Sequence, residues 1–160
     1  MTPNQAASAL VTATMAMHEH GIPLMHRVVP MDMPLRLWDH YPLNDVTCPV
    51  SGARYFYHLH PEHERGPDEH GHFHLFLPQR AMPAGTAPLR VPTGRGPGAT
   101  DHVHVVGLSI DRGGLPCSLF TVNRWVTDEW MFGAAAITSR LDRFDLAAAP
   151  GDPLLNAWLT

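Results

Sequence analysis

The stretch RYFYHLHPEHERGPDEHGHFHLFL, Arg54 to Leu77, decides how the rest of the chain is read. Its first seven and last eight residues alternate between polar and apolar side chains, the period of a β-strand, and the polar segment PEHERGPDE between them reads as a turn. Two antiparallel neighbours result. Alternate residues of a strand share a face, so His58 and His60 are expected on one side, and so are His70, His72 and His74. The residues of opposite parity, Tyr57, Leu59, Phe73 and Leu75, are apolar or aromatic. One face is suited to a core, and the other gathers imidazoles.

Working outward, HVHVVGLSI and LPCSLFTVNRWVT flank DRGG, a hairpin signal that adds two strands and makes His102 and His104 a same-face pair on a third histidine strand. Val103 and Val105 fill the opposite parity. Between the hairpins, residues 79–101 are rich in Pro, Gly and Ala without a period, which predicts a long loop able to cover a site. Upstream, Asn4 is placed to cap a helix running to about His20, with Leu10, Ala13 and Met17 on one side, ended by Gly21 and Pro23. The segment from Met25 to Ala53 is cut by Pro30, Pro34, Pro42 and Pro49 and should wrap the edge in extended or looping form. Downstream, Thr127 and Asp128 open an expected helix with Trp130, Ala134, Ile137 and Leu141 on one stripe, and Pro153 behind Asp152 starts a last helical turn. The expectation is one α+β domain over 1–160: an N-terminal helix in 1–21, an antiparallel sheet of four to six strands in 54–126, and a helical part in 127–160.

Composition narrows the function. The 160 residues hold 11 basic against 15 acidic side chains, a formal charge of -4 with histidine neutral, and no basic run, which argues against nucleic acid and anionic membrane as partners. All 11 basic residues are arginine, so Schiff-base chemistry, a lysine general base and the phosphate-loop lysine are excluded. Cys48 and Cys117 are far apart and in no CxxC pair, the pattern of reduced thiols, and Cys117 in an apolar strand reads as a buried thiol. Ala6 to Met17 is interrupted by Ser8, Thr12 and Thr14, and no secretory signal is evident, so a cytoplasmic protein is expected. No GxSxG or GxGxxG motif is present, and TGRGPG lacks the flanking strand and helix that phosphate cradling needs.

Imidazole is the commonest protein ligand for transition metals, and an HxH pair on a strand offers two nitrogens from one side of a sheet. Three such pairs give His58, His60, His72, His74, His102 and His104 as metal-ligand candidates, with Glu64 as a carboxylate ligand. The ordinary alternative is that these are polar positions facing solvent on one side of an antiparallel sheet. Glu62, Glu64, Asp68 and Glu69 lie in the connection between the two histidine strands, and Glu69, beside His70, is the candidate general base, with Tyr57 as a second proton-handling group. Asp39, His40 and Tyr41 in WDHYP could add a ligand or proton donor, or Trp38 and Tyr41 could be buried anchors for the proline-rich wrap. Arg124 could clamp a substrate anion, although a structural ion pair is its commoner role. His18, His20 and His26 read as surface residues.

Gly52, His58, His60, Glu64 and Gly71 resemble the first cupin motif. That resemblance implies that the two histidines and the glutamate bind a divalent metal, with the sheet curled into a cupin-like half-barrel. Pro97, Gly98 and His102 match its second motif without the usual spacing. His70, His72 and His74 also resemble the strand of the histidine triad nucleotide hydrolases and transferases, which implies a nucleophilic middle histidine acting on phosphorus. Taken whole, WDHYP, EHGHFH and TVNRWVT resemble a bacterial family of domains without known function, from Trp38 to Trp125 and somewhat beyond.

The reading that follows is a small metal-dependent enzyme, an oxygenase or a lyase or hydrolase. It would bind a divalent transition metal, Zn, Fe, Cu, Ni or Mn, and act on a small-molecule substrate. Its rivals are a non-enzymatic metal- or haem-binding protein for storage, delivery or sensing, and the histidine-triad hydrolase. Exposed sheet edges are compatible with a homodimer, although the sequence does not fix the oligomeric state.

Overall fold

A computed structural model describes residues 2–32, 34–94 and 101–160, with the side chain of Arg124 left out. Its centre is a five-stranded antiparallel meander in the order β1 (Tyr41–Thr47), β2 (Arg54–His58), β3 (Glu69–Pro78), β4 (His102–Asp111) and β5 (Pro116–Phe120). Helices α1 (Pro3–Glu19) and α4 (Pro153–Leu159) come from the two ends of the chain and pack on each other, and α2 (Arg124–Thr127) and α3 (Ala134–Thr138) are short. The fold is α+β. No helix of the described residues is long and apolar enough to cross a membrane.

The alternation of Arg54–Leu77 sets the two sheet faces. Tyr55, Tyr57, Phe73, Leu75, Leu77, Val103 and Ile110 point into a core closed by Met17, Val28, Phe132, Phe144, Leu146, Leu155 and Leu159. Burying each large side chain of that kind contributes about 1.5–3 kcal/mol. A polar seam in this core is satisfied: Tyr55 donates to Asn156 Oδ1 at 3.0 Å, and the Asn156 amide donates to the carbonyls of Ala149 and Pro150. The opposite face carries Arg54, Phe56 and His58 beside Phe76, His74 and His72, then His104, Gly107 and Ser109, then Phe120 and Ser118.

Several expectations are corrected by local physics. The cap of α1 is Thr2, whose hydroxyl accepts from Gln5 N while Gln5 Oε1 accepts from Thr2 N, so Asn4 lies inside the helix; Leu10 is exposed while Ala13 and Met17 are buried. The wrap contributes a strand, β1, so the sheet starts at Tyr41 rather than Arg54. The helix expected from Thr127 is broken because Asp128 takes a positive φ of 47°, Trp130 N donates to His102 O, and Met131 bridges to Arg90. Helix then resumes only at Ala134. Asp152 does cap α4, accepting from Leu154 N and Leu155 N at 2.9 Å. Cys117 is exposed because it is the extra residue where the register slips between Ser109↔Ser118 and Ile110↔Pro116, on a strand at the sheet edge; Cys48 is buried, and both thiols are free. Part of the loop expected over 79–101, including Pro97 and Gly98 of the second cupin-like motif, lies outside the described residues.

Candidate metal centre

Two β-bulges build the site. On β3, Glu69 faces Asp111 and Gly71 faces Ile110, so one residue, His70, is extra and the parity of the strand flips there. His70 therefore leaves the face of His72 and His74: its Nδ1 lies 2.7 Å from the Tyr57 hydroxyl, and its ring stacks on Tyr57 on the core side. Gly71 makes this possible, because a Cβ there would sit 2.6 Å from His58 O and 2.7 Å from Tyr57 Oη. Glu69 takes the vacated place on the histidine face. The Arg65 guanidinium holds the bulge, donating to the carbonyls of Glu69 and His70.

On β4, Leu75 faces Val106 and Phe76 faces His104, so Val105 is extra and a second parity flip puts Ser109 on the same face as His104. The two flips meet: Ser109 Oγ donates to Glu69 Oε2 at 2.7 Å, and Glu69 Oε1 accepts from His72 Nδ1 at 2.7 Å. Neither residue would reach the other on strands of unbroken alternation.

Around this support, Nε2 of His58 lies 2.7 Å from Nε2 of His72 and 3.2 Å from Nε2 of His74. Among the described residues these three form a group whose ligand nitrogens all lie within 4.8 Å of one another and that could hold a metal ion. Four-coordinate zinc with bonds of 2.0–2.1 Å sets its ligand nitrogens roughly 3.3 Å apart, which the His58–His74 pair matches and the His58–His72 pair would reach by opening. The outer nitrogens are engaged as well, His72 Nδ1 by Glu69 and His74 Nδ1 by His104 Nε2 at 2.9 Å. A carboxylate on Nδ1 puts the proton there and leaves the Nε2 lone pair for an ion. One tautomer set satisfies the contacts without an ion: His58 Nε2–H serves the lone pairs of His72 and His74, and His74 Nδ1–H serves His104.

Burial keeps these rings neutral. It pushes His58 down to about 2, helped by the neighbouring His72, His60 and His40, and pushes His104 down to about 4. His74 is lowered by burial and then by His72, His104, His58 and His40. His72 is lowered too, burial outweighing the opposing pull of Glu69. Neutral imidazoles are the form that binds metal.

The triad sits in the wall of a cavity of about 1080 Å³. Phe120 covers it from β5, its ring edge-on to His72 and His74 at centroid distances of 4.9 and 5.7 Å. Gly107 makes room, since a Cβ there would fall 2.3–2.6 Å from that ring. His60 stands at the mouth, 4.8 and 5.0 Å by ring centroid from His58 and His72, tilted at 40° against Trp38 at 4.2 Å and 3.7 Å from Glu64. Glu64 thus faces His60 and is outside the three-histidine group. His102 lies apart, its Nδ1 buried 3.2 Å from Asp101 without hydrogen-bond alignment. Tyr57 is fully buried on the core face, so its hydroxyl does not face the cavity.

The WDHYP segment divides its roles. Tyr41 is buried and its hydroxyl accepts from Arg36 N, whereas Trp38 is 52% exposed and lines the cavity. His40 stacks on Phe56 at 3.7 Å and donates to Asp45 at 2.8 Å; composition alone did not single out Asp45, which a positive φ of 45° turns toward the cavity wall of β1. Glu62, Glu64 and His63 are exposed, and so are His18, His20 and His26. The clamp considered for Arg124 rests on a side chain outside the described set.

Residues 4–160 match the model of a family described as Domain of unknown function (DUF6969). No curated protein and no solved structure matches the chain. The chain belongs to the DUF6969 family.

Proposed function

We propose that this member of the DUF6969 family is a metal-dependent enzyme acting on a small molecule, with one divalent transition ion held by His58, His72 and His74. The observation that carries the reading is the convergence of three buried Nε2 atoms, two of them with Nδ1 already engaged by Glu69 and His104, beside an open cavity. A storage site needs no such cavity. Three neutral ligands leave a divalent ion its full charge and an open coordination position, the condition for polarising a bound water or a substrate oxygen. We therefore favour hydrolytic or lyase chemistry, with Glu69 orienting His72, and assign oxygen chemistry only if the bound ion proves to be iron, copper or manganese.

Elemental analysis of protein purified without a polyhistidine tag tests this. About one equivalent of a single transition metal is expected. His72→Ala and His74→Ala should lose it, while His18→Ala with His20→Ala should keep it. Equal metal in all these variants would sink the proposal. Several equivalents held reversibly would instead favour a protein that handles metal.

A further inference from the structure

We infer that the cavity takes an elongated, largely apolar or aromatic molecule bearing a carboxylate, its anion held by Arg54 and its reacting group at the histidine centre. The reactive end rests on the metal reading above. The anionic end stands on separate observations.

Three residues of β2 lie between Arg54 and His58, four steps or about 13 Å of extended chain, and both side chains line the same cavity. The floor between them is aromatic. Phe56 and Phe76 stack at 5.7 Å, His40 covers Phe56 at 3.7 Å, and the Arg54 guanidinium lies 4.9 Å above the Phe76 ring. These rings are covered by His40 and Arg54, and beside them Trp38, Leu43, Phe120 and Val122 give the cavity a mostly apolar lining, which suits a flat apolar ligand.

At the far end Arg54 has donors to spare. It lends Nη2 to Asp45 at 3.1 Å, but Asp45 also accepts from His40, so one carboxylate is shared by two donors. Arg54 Nε is buried with no acceptor among the described residues. A planar guanidinium with an unused Nε–H, and an Nη2 whose acceptor is shared with His40, is matched by a carboxylate, which accepts from two nitrogens at once.

The test uses 3-(2-naphthyl)propionate and the alcohol of the same skeleton, 3-(2-naphthyl)propan-1-ol, titrated calorimetrically into the full chain, with metal content measured on the same samples. The acid should bind roughly 10-fold to 100-fold tighter than the alcohol, the worth of a charge-assisted hydrogen bond. Arg54→Gln should bring the ratio near one without changing metal content, and Asp45→Asn, which removes the competing carboxylate, should raise it. Equal binding of acid and alcohol, binding of neither, or a ratio unmoved by Arg54→Gln would overturn the inference. Should Arg54→Gln fail to fold, Asp45→Asn decides alone: a ratio at or below that of the wild type overturns it. An acid preference in protein that never holds metal would remove the metal reading and leave the anion site standing.

Discussion

Glu69 holds His72 with one carboxylate oxygen and Ser109 with the other, so it fixes both the tautomer and the orientation of one proposed ligand. Glutamine at this position keeps the shape and loses the charge. Glu69→Gln should therefore weaken metal affinity about 10–100-fold while leaving the fold intact. Competition with a chelator of known affinity, alongside a thermal melt, separates the two effects; unchanged affinity would mean that His72 is oriented by packing alone. Alternation is enough to put His58, His72 and His74 on one sheet face, among the six histidines and Glu64 that it offers as ligands. It was not enough to assign His60 and Glu64, whose place at the mouth depends on where β2 ends, or His102, whose distance from the group depends on how far β4 runs past it.

At the level of the strand, what was legible and what was not divide at the bulges. Period and turn chemistry in Arg54–Leu77 and around DRGG are sufficient to lay out β2 to β5, since each side chain reports its own face. A bulge adds one residue without changing composition, so nothing local announces that His70 turns to Tyr57 and Glu69 to His72. The bulge is held by Arg65, whose guanidinium donates to the carbonyls of Glu69 and His70. Arg65→Ala should leave those carbonyls without that donor, costing about 1.5–3 kcal/mol. It should also weaken metal binding, because Glu69 loses its fixed position. A variant that loses stability but keeps full metal affinity would show that the bulge is held by the strand itself. The helix expected from Thr127 failed for a related reason: the backbone of Trp130 and Met131 is engaged by His102 and Arg90, and tertiary hydrogen bonds override a helical stripe.

For the molecule as a whole, the cost of the site is acid sensitivity. His58, His72, His74 and His104 are held below the ordinary imidazole value of about 6.5 chiefly by burial, His104 to about 4. Below pH about 6.5 the unfolded chain takes up protons that the folded state refuses, so the unfolded state binds more protons and stability falls as pH falls. The stabilising effect of keeping these rings neutral is complete above that value, and for His104 it is lost progressively down to about 4. Each ring contributes up to about 1.4 kcal/mol per pH unit, and several acting together can exhaust a typical stability of about 5–15 kcal/mol within a few units. Acid unfolding followed by circular dichroism should therefore show its midpoint below about pH 6.5, and His104→Gln should make the loss less steep. Bound metal selects the same neutral rings in the folded state, so saturating zinc should move the midpoint to lower pH, by an amount that grows with zinc concentration. A stability that stays flat from neutrality down to pH about 4 would contradict the buried, neutral cluster. A midpoint that moves with pH but ignores zinc would keep the cluster and count against the ion.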